Sequence, residues 1–242
     1  MYSFNNFTLK EMTETGIALR GFGNNASSME EAAGTVINYF YNNFKDPITG
    51  SNEIALVRFF KTHPYNELNQ GLQLSARSII KKEPEAQNMK CLTLLATAGE
   101  NPDWLSRANS VSHKAIPLVS EKFVLEFPMI SNLITQLGLE INQIVNPSPE
   151  IILDIQKIKY NVFCVPDAVT SPLIPAKDNF VIPYGVKSVI GFGGILPSGS
   201  FYVIIIFSKT KIDKELAGLF KTLSLDVKLS ILPLEYNVFS NQ

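Results

Sequence analysis

The sequence predicts an α+β domain, and three observations carry that expectation. A serine-capped amphipathic helix starting at Ser28 leads into a strand-like stretch, two apolar runs meet at the turn PSGS as a hairpin, and an amphipathic helix over residues 213–232 follows. The 242 residues, 45% of them hydrophobic, suffice for one large domain with its own core.

Taken in chain order, a short helix is expected over residues 9–20, ended by GFGNN. Ser28 and Glu31 then form the S-x-x-E pattern of a capping box, in which the serine oxygen accepts from a first-turn amide and the glutamate reaches back. Met29, Ala33, Val36, Phe40 and Phe44 follow at three- and four-residue steps, which puts them on one helical face, and KDPITG stops the helix. EIALVRFFK (53–61) and MKCLTLLAT (89–97) lack helical spacing and read as strands, with a helix between them over 66–81. Residues 120–138 carry a helical stripe interrupted by Pro128, so a kink or a two-piece helix is expected. The proline-rich stretch 146–183, with the short apolar pieces EIILDI, YNVFCV and NFVIP, reads as a long irregular excursion holding a strand or two. Residues 186–196 and 201–208 form the hairpin, with Gly199 in its turn. The closing helix places Leu216, Leu219, Phe220, Leu223 and Val227 on one face and stops at Pro233.

Composition narrows the function. Twenty-one basic and twenty-two acidic residues leave a net charge of −1, which argues against nucleic acid or an anionic membrane surface as partner. Cys91 and Cys164 stand alone, without metal-ligand spacing, and read as reduced thiols. The N-terminus lacks the pattern of a secretory leader, and the longest apolar run, 201–207, is far too short to span a bilayer. A cytoplasmic protein is the expectation.

The stretch IPYGVKSVIGFGGILPSGSFYVIIIFSKTKIDKELAGLFKTLSLDVKLSIL resembles the end of a GAF domain: a central strand, a glycine turn, a second strand and a closing amphipathic helix. The phrases LVRFFKTHPY, CLTLLATAGENPDW, FPMISNLITQLGLE and YNVFCVPDA are similar to a GAF-like input segment found ahead of bacterial sensor histidine kinases. The resemblance covers most of residues 4–234. It implies a central antiparallel sheet with helices on its faces, as in GAF and PAS domains, and a pocket under the loops between positions 99 and 183. It further implies output through terminal helices to a partner such as a histidine kinase, and a homodimer built on the first and last helices. On this reading residues 1–27 are an N-terminal extension, 28–234 the GAF-like domain and 235–242 a tail. Too few residues follow Pro233 for a kinase, so a stand-alone or excised module is expected.

The chemistry-bearing residues are few. His63, before Pro64, reads as a turn or surface histidine; His113 in SVSHKAIPL lies where a pocket is expected and is either a ligand to a metal, haem iron or an organic oxygen or a structural or solvent-facing histidine. Ser112 and His113 are adjacent, and in an extended segment they would point to opposite sides. Cys164 is the other candidate haem or metal ligand, although apolar neighbours favour an inert thiol. Trp104, the only tryptophan, with Arg107 in NPDWLSR suits an aromatic wall and a cation for an anionic ligand; its alternative is a loop anchor packed on the core. Tyr160 and Tyr184 complete the candidate ligand contacts, the first in the Tyr160 to Pro166 loop and the second in the pocket wall. GFGG departs from G-x-G-x-x-G at Leu196 and instead suggests a bulge or a close backbone approach. No Walker A, H-E-x-x-H or G-x-S-x-G motif occurs, nor a bilin-anchoring cysteine context or an N-K-x-D signature. The leading expectation is therefore a sensor that binds a small ligand; the alternatives are a ligand-free dimerisation or docking scaffold and, last, an enzyme.

Overall fold

A computed structural model describes residues 1–82, 84, 86–147 and 161–240. The order of elements is α1 (Leu9–Gly21), α2 (Met29–Asn43), β1 (Ile54–Pro64), α3 (Gln70–Ile80), β2 (Lys90–Gly99), β3 (Ala115–Leu118), α4 (Glu121–Leu125), α5 (Pro128–Gln136), α6 (Ile141–Val145), β4 (Phe163–Val165), β5 (Ser188–Ile195), β6 (Phe201–Ser208) and α7 (Lys214–Ile231). The strands make one curled antiparallel sheet in the order β3-β2-β1-β6-β5-β4, with helices on its faces. That is the expected α+β class, compatible with a GAF- or PAS-like fold.

Local chemistry sets the helix ends. Ser28 caps α2 by accepting from the Glu31 amide at 3.2 Å, but the Glu31 carboxylate accepts from the amide and hydroxyl of Ser27, one residue earlier than the capping box predicts. Asp213 caps α7 through the Leu216 amide. Pro128 splits the helical stripe into α4 and α5, occupying the first turn of α5, where its missing N–H costs nothing. In the hairpin the β5/β6 ladder is regular from Ser188↔Ser208 to Ile195↔Phe201. Gly193 is required there, because a Cβ at that position would lie 2.1 Å from the Tyr202 carbonyl oxygen. Gly199 takes φ +80° in the turn.

Two apolar layers sandwich the sheet. One lies beneath α1, α2 and α7, around Phe40, Phe59, Phe192, Tyr202 and Phe220. The other lies beneath α4, α5, α6 and the 168–186 segment, around Phe60, Leu94, Leu133, Phe163 and Phe201. Residues 1–27, set apart in the sequence as an extension, supply Phe4, Phe7 and Leu19 to the first layer. Leu216 and Leu219, expected on the buried face of α7, are only partly covered, and Ala217 takes the buried position between them. Strand β1 extends three residues beyond the expected end at Lys61, so His63 is a strand residue, buried at 3% exposure, and not a surface turn. EIILDI lies outside the described residues. Among the described residues no helix is long and apolar enough to cross a membrane.

Candidate functional site

The structure distributes the candidate residues over several places. Trp104, in the short 3-10 turn after β2, and Tyr184 do come together: their ring centroids are 4.5 Å apart, Phe180 stands edge-on to Trp104 at 5.4 Å, and Asn101 Nδ2 donates to the Tyr184 hydroxyl at 2.8 Å. These rings close on one another over the second apolar layer, with Phe180 edge-on to Phe207 at 5.0 Å. The aromatic wall is therefore packed against its own neighbours.

Arg107 does not join that wall. Its guanidinium pairs with Glu30 at the start of α2 and lies 5.3 Å over the Phe239 ring, on the helical side of the sheet. Phe239 also packs on His63, its ring tilted with 5.0 Å between centroids. Two residues three positions apart in NPDWLSR thus serve opposite faces of the molecule.

Cys164 lies on the edge strand β4 and His113 just before the opposite edge strand β3, so the two cannot ligate one metal or haem iron. Burial, assisted by Asp213, pushes the Cys164 thiol up to about 11, and its Sγ sits 3.9 and 3.8 Å from the Ile212 and Asp213 carbonyl oxygens, an environment for a protonated thiol and not a thiolate ligand. Among the described residues no group of three His, Cys, Asp or Glu side chains is placed to hold a metal ion. Tyr160 lies outside the described residues.

Ser112 and His113 depart from the sequence reading. His113 takes φ +59°, so the segment is not extended, and Ser112 Oγ lies 3.0 Å from His113 Nδ1. Desolvation and the neighbouring Arg58 guanidinium hold the imidazole below its ordinary pKa, so the ring is neutral at pH 7. A cation beside the ring also opposes the imidazolium that a serine-activating base would have to form.

Arg58 is the residue that sequence reasoning missed. It projects from β1 on the loop-covered face, one strand position from Phe59 on the helical face. Only 8% of it is exposed, its Nη2 donates to Ser110 Oγ at 3.4 Å, and its Nε has no hydrogen-bond partner. Burial alone draws its pKa down to about 10. Directly across the β1/β2 ladder stands Thr97, 4% exposed, whose hydroxyl is also unpartnered. Ser110, Ser112 and His113 form the segment beside Arg58, with Ser110 Oγ donating to the Ser112 carbonyl at 3.1 Å. The sequence signal was an arginine inside the apolar run EIALVRFFK, and only the strand register shows which groups face it.

Two open grooves lie on the helical side. One of about 610 Å³ runs along α2, lined by Glu31, Asn38, Tyr39 and Asn42 among others, and one of about 460 Å³ separates residues 4–9 from the start of α7. Neither includes a candidate ligand contact. Compared with known proteins, the chain matches no family model, and no curated protein matches it.

Proposed function

We propose that the chain is a GAF-like sensory module of the cytoplasm that binds a small ligand on the loop-covered face of its sheet and signals through its first and last helices. The observation that carries this reading is the two-sidedness of β1. Arg58 on one face meets the Ser110–His113 segment, while Phe59 on the other stacks on Tyr202 at 6.2 Å, and the Tyr202 hydroxyl donates to the Ser224 carbonyl of α7 at 2.7 Å. From α7, Asp226 accepts from Arg20 of α1, which ties the helices from both ends of the domain together on that face. A ligand that favours one arrangement of β1 would shift the α1–α7 layer by its differential affinity. Leu225 and Leu229, 57% and 47% exposed on α7, offer the surface through which a second copy or a kinase would be engaged.

The close packing of Trp104, Phe180 and Tyr184 favours a second reading, a docking scaffold whose pocket is filled by its own side chains. Native mass spectrometry after exposure to a low-molecular-weight cell extract, followed by hydrogen exchange, separates the two. A retained small molecule that slows exchange in both α1 and α7 supports the sensor. A protein that retains nothing and whose helices exchange unchanged supports the scaffold.

A further inference from the structure

Arg58 is, among the described residues, a buried charge without a counter-charge. Among the described residues the ion pairs join Arg20 to Asp226, Arg107 to Glu30 and Lys209 to Glu100, and no carboxylate reaches Arg58. Its one hydrogen bond is long, to a neutral serine, and its Nε–H points at no acceptor. Burying an ion in this way costs several kcal/mol unless something neutralises it. The group beside it compounds the deficit, because Thr97 is its direct partner across the ladder, on the same face, and leaves a second buried hydroxyl unbonded. Residues in such register have Cβ atoms about 5 Å apart, close enough for one small ligand group to touch both.

The chemistry of the missing partner follows from the donors. Nε and Nη2 of a guanidinium form the side-on fork that fits two oxygens of a planar anion, and the threonine hydroxyl adds a third donor. Among the described residues Arg58 supplies the formal positive charge of the site. His113 is neutral there, and the nearby Lys114 ammonium is turned to the Ala108 carbonyl at 2.8 Å. A monoanion is neutralised by this arrangement, whereas a dianion would be left with an unpaired buried charge. We infer that Arg58 and Thr97 form a binding site for the carboxylate of a small organic acid, roofed by Ser110, Ser112 and His113, which deepens the ligand-binding reading above. The roof is the exposed part of the site: Ser112 and His113 each keep part of their surface in solvent, the covered part of the His113 ring lying toward Arg58, and their displacement would admit the acid.

The test is thermal unfolding of the intact chain in formate, acetate, propionate and pyruvate against chloride at equal ionic strength, with sulfate and phosphate alongside. At least one carboxylate is expected to give a saturable rise in Tm of about 5 °C near saturation. Arg58→Met should abolish the rise, and Thr97→Val should weaken the affinity about tenfold. If Arg58→Met does not fold, Thr97→Val carries the test, and an unchanged affinity in that variant overturns the site. So does a panel in which no carboxylate exceeds chloride, one in which only sulfate or phosphate stabilises, or an Arg58→Met protein that keeps the full response. Carboxylate binding that leaves exchange in α1 and α7 unchanged would retain the site and refute the signalling reading. A neutral ligand that protects both helices equally in wild type and Arg58→Met would do the reverse.

Discussion

Replacing Lys61 by methionine should stabilise the protein at neutral pH and progressively less as the pH rises. Lys61 lies on β1 with 4% of its surface exposed, its Nζ 3.3 Å from the Thr62 carbonyl oxygen and 3.4 Å from His63 Nε2. Burial draws its pKa down from 10.5 to about 8, against the partial support of Glu235. That displacement corresponds to a penalty of about 3 kcal/mol for keeping the ammonium charged inside the fold. Between pH 8 and 10.5 the unfolded chain holds the proton and the folded one does not, so this penalty is full below pH 8 and gone above 10.5. Methionine fills a similar volume and carries no charge, but forfeits two weak hydrogen bonds worth about 1 kcal/mol together. The expected gain is therefore about 2 kcal/mol at pH 7, shrinking to nothing or a small loss by pH 10. Urea unfolding of both proteins at several pH values, with equal slopes, measures the difference directly. In the wild type alone the rise would be visible mainly between pH 8 and 9, since burial also raises Cys91 to about 12 and Cys164 to about 11, and both oppose it above the ordinary thiol value of 9.0. A variant less stable than wild type at pH 7 by 1 kcal/mol or so, or a difference that does not change with pH, would refute the argument.

Two further outcomes test the layer of terminal helices. A Cβ at Gly23 would lie 1.8 Å from the Ser230 carbonyl oxygen of α7, so Gly23→Ala should cost about 2 kcal/mol or more in urea unfolding, while an alanine tolerated there would show that the two segments stand farther apart. Leu225→Glu with Leu229→Glu should change stability by no more than about 0.5 kcal/mol, as both side chains are exposed, and should convert a dimer to a monomer by light scattering; a wild type already monomeric at tens of micromolar, roughly where weak dimers dissociate, removes the dimer proposal.

The elements legible in the sequence were those written by local rules. Ser28, Asp213, Pro128 and the PSGS turn each act within four residues of themselves, and each marks the end or break it signals. The same grammar was present and overlooked at Thr8 and Glu11, a complete capping box in front of α1. What local rules do not carry is partnership across the fold. His63 reads as a turn residue because Pro64 follows it, yet the ladder continues to Pro64↔Lys90 and the ring is covered by Phe239 from 176 positions away. Trp104 and Arg107 share a loop in sequence and are parted by a backbone that crosses from one face of the sheet to the other. Of the candidate contacts, Trp104 and Tyr184 do meet, while Arg107, His113 and Cys164 each lie in a different part of the fold that no local rule specifies.

Strand β1 buries two cations on opposite faces, and the difference between them points to where a ligand is needed. Lys61 sits on the helical side with His63, and Arg58 on the loop-covered side with Thr97. A buried lysine has a remedy of its own within reach of moderate pH: with a pKa drawn down to about 8, it carries its burial penalty at neutral pH but becomes a neutral amine as the pH rises past 8. Arginine has none. Even drawn down to about 10, the guanidinium stays charged at every pH at which the protein would work, so its desolvation can be met only by an acceptor brought to it. If Arg58 served packing alone, an apolar side chain of its length among Leu56, Phe60 and Ile205 would serve better, and no hydroxyl would stand unbonded across the ladder at Thr97. The pairing of a charge that cannot be discharged with a donor that has nothing to donate to is the arrangement of a site built for an anion.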